Sequence, residues 1–247
     1  MLNTAKCEVD EFFRPYLLCS ENIRHEDELS LTEYFSVIKL RPFRLIGEAV
    51  ASHADMLLCP IGGRLAVHGL YYAENKDLFE QAKIKTVMAN ESASEKYPND
   101  ILLNGLFLSQ NLYGRIDKLS SLLTDFASEK IFVRQGYTRC SVCKINENAI
   151  ITADKTIADA ASSHGVDVLT ISPGHVTLDG YDYGFIGGAS FTYRDKIFFF
   201  GRIEDHPDHL KMRDFAEKHS AKLISLSDLP LCDIGGGVIY EETRKAF

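Results

Sequence analysis

From about position 50 onward the chain repeats one alternation of apolar and polar residues. "HADMLLCPIGGRLAVHG", "PNDILLNGLFLSQNLYG", "TRCSVCKINENAIITAD" and "YGFIGGASFTYRDKIFFFG" each open on a small or polar residue, run apolar, break at a turn and run apolar again, which predicts four β-hairpins. "LCDIGGGVIYEE" opens the same way, stops after one run, and is read as a fifth hairpin, Asp233 to Glu242. Behind the hairpins stand "NKDLFEQA", "IDKLSSLLTDFASEK", "KTIADAASSHG" and "HPDHLKMRDFAEKHS", apolar at helical spacing. Each is followed by a short apolar run, "KIKTVMAN", "IFVRQG", "VDVLTISPG" and "AKLISLSD". The unit is strand, strand, helix, strand, and the fold class is α/β.

The openings fall at Asp55, Asp100, Cys140, Gly187 with Gly188, and Asp233, spaced about 40 to 47 residues apart, a period that marks a solenoid, propeller or closed array because one unit cannot bury its apolar face alone. Five units predict a ring about a pseudo-fivefold axis, with the openings converging on one central depression. The fifth hairpin has no room for its helix and third strand before the chain ends. Residues 1–45 are expected to complete it, through "PYLLCS" or "FSVIKL", giving one domain over residues 1–247 closed by both termini.

Composition narrows the function. At 247 residues and 45% hydrophobic content the chain can bury a sizeable core. A net charge of -8 without a basic cluster argues against nucleic acid or an anionic membrane as partner, so a small molecule is expected. The N-terminus lacks the apolar stretch of a signal peptide, and six dispersed cysteines read as reduced thiols, so the protein is expected in the cytoplasm. Gly187-Gly188 and Gly235-Gly236-Gly237 lack the spacing of a dinucleotide loop, and no cofactor is expected. Nor is a metal: His206-Pro207-Asp208-His209 reads first as a helix start with Asp205 as its cap. Cys140 and Cys143 form a lone CxxC, which is poor evidence for zinc or redox chemistry, and Cys59 and Cys143 read as small core hydrophobes.

Five such units, with His53-x-Asp55 opening one and a cysteine opening another, resemble the pentein fold of the guanidino-group-modifying enzymes: arginine deiminases, dimethylargininase, agmatine deiminases and amidinotransferases. "GYTRCS" (Gly136 to Ser141), "YGFIGGAS" (Tyr183 to Ser190) and "HPD" (His206 to Asp208) are similar to a family of clostridial-type proteins assigned to that fold. The resemblance implies Cys140 as nucleophile and His53 as general acid/base. It implies Asp55, Asp100 and Asp233 as ligands of a small cationic substrate at a site shared with Gly187, Gly188 and Ser190. In the enzymes the cysteine lies in the last unit, so Cys140 at mid-chain implies a permuted ring, and Cys232 is the second candidate nucleophile. The fourth opening carries no carboxylate. Two functions follow: a cysteine-dependent guanidino- or amidine-modifying hydrolase or amidinotransferase, or a non-catalytic binding or scaffold protein on the same fold.

Overall fold

The computed structural model describes residues 14–241, so Cys7 and Glu242 lie outside the described residues. In chain order the elements are β1 (Tyr16–Ser20), α1 (His25–Leu31), β2 (Ser36–Leu40), α2 (Ala54–Leu57), β3 (Leu58–Ile61), β4 (Arg64–His68), α3 (Gly69–Glu74), α4 (Lys76–Gln81) and β5 (Thr86–Ala89). There follow β6 (Leu106–Leu108), β7 (Asn111–Gly114), α5 (Ser121–Phe126), β8 (Glu129–Phe132), β9 (Val142–Asn146), β10 (Ala149–Thr152), α6 (Lys155–Ser163) and β11 (Asp167–Thr170). The last are β12 (Ser190–Tyr193), β13 (Lys196–Phe199), α7 (His209–Lys218), β14 (Lys222–Ser225) and β15 (Gly237–Tyr240).

The strands make five three-stranded sheets of one design, an antiparallel hairpin whose second strand pairs in parallel with the strand behind the helix: β3-β4-β5, β6-β7-β8, β9-β10-β11, β12-β13-β14 and β15-β1-β2. This is an α/β propeller of five strand-strand-helix-strand units. The last sheet joins the two ends of the chain, with Tyr16 opposite Tyr240 and Cys19 opposite Gly237, and β1 running parallel to β2. The expected hairpin from Asp233 onward is a single strand there, β15, whose antiparallel partner is β1 from the other end of the chain, so "PYLLCS" and "FSVIKL" are both strands of this sheet.

Five apolar clusters sit between neighbouring sheets, one at each junction of the ring. The central strands are buried on both faces, and period-two alternation divides their side chains between two junctions. In β13, Ile197 and Phe199 pack with Cys143, Ala149 and Ile151 of the third unit, while Phe198 packs with Leu17, Cys19 and Phe35 of the fifth. Phe198 stacks on Phe191 and meets Phe35 and Tyr34 edge-on. In β10, Ile150 faces the second unit and Ile151 the fourth. Such two-sided burial explains why these strands read as continuous apolar runs, and each large side chain contributes roughly 1.5–3 kcal/mol.

The helices close the outside. Asp154 caps α6, its carboxylate accepting from the backbone N–H of Thr156 and Ile157 at 2.7 and 3.0 Å. One start differs from expectation. Asp208, not Asp205, stands at the N-cap of α7, and its carboxylate accepts from Ser172 N–H at 2.7 Å instead of from the helix. His206, ahead of Pro207, is held extended, as a residue before proline prefers, so the helix begins later. Among the described residues no helix is long and apolar enough to cross a membrane.

Candidate active site

The residues that precede the first strand of each unit meet at the axis, joined by hydrogen bonds that pass from unit to unit. Asp55 N–H donates to Gly235 C=O at 3.1 Å, Gly188 N–H to Cys140 C=O at 2.9 Å, and Ile234 and Gly236 N–H to Gly188 C=O at 3.1 and 2.6 Å. The two remaining links run through one side chain. The Asn104 carboxamide donates to Asp55 C=O at 3.0 Å and accepts from Arg139 N–H at 2.9 Å. With those links the ring is closed.

Close approach at the axis requires glycine at Gly188 and Gly235 above all. A Cβ on Gly188 would stand 1.9 Å from Asp233 Oδ1, and one on Gly235, at φ +79°, would stand 2.2 Å from the His53 Cβ. These two glycines bring Asp233 against the Cys140 loop and the last unit against His53. Ser190 donates its hydroxyl to Ile186 C=O at 2.8 Å.

His53, Asp55, Cys140 and Asp233 are all buried here. His53 stands at the N-cap of α2, which places Asp55 in its first turn. Its Nδ1 lies 3.7 Å from Asp233 Oδ1, and burial lowers its pKa, with Asp55 opposing, so the ring is neutral. Asp233 accepts from Phe185 N–H at 2.8 Å and Gly235 N–H at 3.0 Å, yet burial and the neighbouring Asp55 raise its carboxyl to about 7. The Cys140 thiol is pushed well above its ordinary range by burial first, then by the Asp55 and Asp233 charges.

Asp55 is the anomaly. It is 2% exposed, and neither carboxylate oxygen has a hydrogen-bond partner among the described residues. A buried carboxylate without donors costs several kcal/mol, and such groups in native structures are paired with a cation or a hydrogen-bond donor. Asp55 borders a cavity of about 450 Å³ that the first strand of every unit helps to line, Pro60, Phe107, Lys144, Thr192 and Ile239 among them, so it runs along the axis. Arg139, Gly187 and Ser190 line it too.

Asp100 stands apart from this group. It precedes β6 by six residues, and its Oδ2 accepts from the Tyr137 hydroxyl at 2.6 Å while Oδ1 is buried without a partner. Tyr137 packs beside Phe185, and both pack against the apolar cluster that includes Cys140. Cys232 is half-buried, and burial raises its thiol pKa. Asn104, two residues ahead of β6 as Cys140 is two ahead of β9, was not singled out from the sequence. Its Nδ2 lies 2.9 Å from the Cys140 sulfur. The signal was there in "LLNGL", a polar residue and a glycine inside an apolar run, but the nearby aspartate took its place in the repeat alignment.

Residues 18–238 match the model of a family described as a family of unknown function, DUF6873. No curated protein matches the chain. Among solved structures, agmatine deiminase of C. jejuni with substrate bound is 11% identical over 94% of this chain and 95% of its own, with a TM-score of 0.56. DDAH of Pseudomonas aeruginosa, a cysteine-to-serine mutant complexed with citrulline, is 6% identical over 92% and 97%, at 0.55. SxtG, an amidinotransferase from Microseira wollei, is 10% identical over 89% and 93%, at 0.53. These are pentein-fold enzymes that modify guanidino groups, and at such identities the likeness is one of fold.

Proposed function

The chain belongs to DUF6873, and we propose that it is a cysteine-dependent enzyme, a hydrolase or amidinotransferase, acting on the guanidino or amidine group of a small cation. The observation that carries this reading is the pair of buried, unpartnered Asp55 oxygens facing the Cys140 thiol. A guanidinium supplies what they lack, a positive charge with several N–H donors in one plane.

Its arrival would also switch the nucleophile. In the free protein burial, and after it the Asp55 and Asp233 charges, hold the thiol protonated, and a cation on Asp55 offsets the second of these causes. The sulfur then attacks the guanidinium carbon, a C–S bond forms, and the C–N bond to the departing amine breaks. The proton given up by the thiol reaches that amine through His53, neutral and therefore able to accept it. Water, or an acceptor amine in the transferase case, then displaces Cys140 and returns a proton. Hydrolysis balances as guanidinium plus water giving a ureido product and an ammonium ion. The five described cysteines are free, which fits a reducing cytoplasm.

A second reading, a binding protein that keeps the fold without the reaction, is favoured by the protonated thiol of the free state. One experiment separates them. 2-Chloroacetamidine, a planar cation with a leaving group, should alkylate Cys140 ahead of the other five cysteines in peptide mass spectrometry, and Asp55→Asn should abolish that preference. Neutral iodoacetamide should show no such preference. Equal labelling of Cys140 by both reagents, or reaction first at Cys232, would move the assignment to the binding protein.

A further inference from the structure

The link through Asn104 is the one place where the axial ring uses a side chain in place of backbone, and that side chain also touches the sulfur. Its orientation is fixed independently of the sulfur. The backbone N–H of Arg139 at 2.9 Å requires an oxygen, and the Asp55 carbonyl at 3.0 Å requires a donor, so Oδ1 faces Arg139 and Nδ2 faces Asp55. Oδ1 is also 3.5 Å from the Cys140 N–H. One Nδ2 hydrogen is used on Asp55, and the other has two sulfurs in reach, Cys140 Sγ at 2.9 Å and Met56 Sδ at 3.2 Å, of which Cys140 is the nearer and the only one that can carry charge. Sulfur is therefore the acceptor toward Asn104, and the nearby Asp55 and Asp233 charges act against its ionisation.

Resting on the reading of Cys140 as nucleophile, we propose that Asn104 is a positioning residue whose carboxamide holds the Cys140 sulfur as a hydrogen-bond acceptor and is the neutral donor that stabilises the thiolate once a cation occupies Asp55. The other groups around the sulfur do not supply this. Asp55 on α2 and Asp233 ahead of β15 repel a thiolate. Tyr137, on the same loop as Cys140, has its hydroxyl donated to Asp100, and His53 is neutral beside Asp233. A donor to a charged acceptor is a strong hydrogen bond in a buried site. The carboxamide is also built into the ring by two backbone links, so it is already oriented when the thiolate forms and need not reorganise.

The test reads the pH profile of Cys140 alkylation by iodoacetamide, which follows the thiolate and needs neither substrate nor turnover. Asn104→Ala removes the donor without adding a charge and is the deciding variant; Asn104→Asp keeps an oxygen for Arg139 N–H and loses the donor, but its added charge also raises the thiol, so it sets only an upper bound on the shift; thermal melting checks that each is folded. The profile of each folded variant is expected to move up by about one to two pH units, a ten- to hundredfold slower reaction at fixed pH. An unmoved profile in a folded variant overturns the proposal, whatever the rate. Should Asn104→Ala unfold, the wild-type protein decides. The side-chain 15N–1H signals of Asn104 are expected to shift with the same midpoint as Cys140 alkylation, and signals indifferent to that titration overturn it. Failure of chloroacetamidine to prefer Cys140 would instead sink the guanidino reading and leave this result standing.

Discussion

Replacing Asp55 by asparagine should make the free protein relatively more stable at alkaline pH, the opposite of what removing a structural carboxylate does. Its oxygens have no donor to lose, and its charge raises the neighbouring Asp233. The Asp233 carboxyl stands at about 7 against an ordinary 3.8. Because its folded-state pKa lies above the unfolded value, the folded protein holds that proton more tightly, and stability is lost as pH rises through the window from about 4 to about 7. A rise of about three pH units corresponds to roughly 4 kcal/mol. Burial is the larger cause and Asp55 the next, so the relief from Asp55→Asn is about 1–2 kcal/mol, present at pH 8 and absent near pH 4. His53 acts in the same direction. Asp55 is what holds up its lowered pKa, so the variant loses further stability at pH 5, where an unfolded histidine is protonated. Urea denaturation at pH 5 and pH 8 measures this, and the pH difference cancels the fixed cost of burying an amide. The variant's change from pH 5 to pH 8 should be more favourable than the wild type's by that 1–2 kcal/mol, about 2–8 °C in Tm. A difference equal to the wild type's would refute the placement of Asp55 in the field of Asp233.

Gly188→Ala would drive a methyl group into the Asp233 carboxylate, 1.9 Å away, and should cost at least about 2 kcal/mol by urea denaturation while ending preferential chloroacetamidine labelling of Cys140. Tyr137→Phe takes from the buried Asp100 carboxylate the hydroxyl that donates to it at 2.6 Å, and should destabilise by about 1–3 kcal/mol. The loss should be greater at pH 8 than at pH 4, where a protonated Asp100 no longer needs the donor. Asp154→Ala removes the cap of α6 at the rim of the ring and should cost about 1 kcal/mol in chemical denaturation, leaving the alkylation profile of Cys140 unmoved.

The ring was legible in the sequence because its physics is local: each unit carries a hairpin, an amphipathic helix and a third strand, and the alternation along β10 and β13 shows which side chains leave by which face. The convergence of the openings follows from that symmetry, and so Asp55, Cys140, Gly187, Gly188 and Asp233 could be gathered without coordinates. What composition and spacing could not carry is the one-residue geometry at the axis. Asp100 and Asn104 both precede β6, a carboxylate attracts attention as a cation ligand, and only the pairing of Arg139 N–H and Asp55 C=O with one carboxamide distinguishes them. Burial also sets the charge state of the site: the core first, then the Asp55 and Asp233 charges, hold the Cys140 sulfur protonated, and burial lowers the His53 pKa. That arrangement follows once Asp55 is left unpartnered. If Asp55 is the cation ligand proposed above, a site that stores its uncompensated charge is less stable empty than filled. Under the proposed function, the same charge that costs stability makes the nucleophile conditional on the cation, so selectivity for a charged substrate and protection of an idle thiol would come from one aspartate.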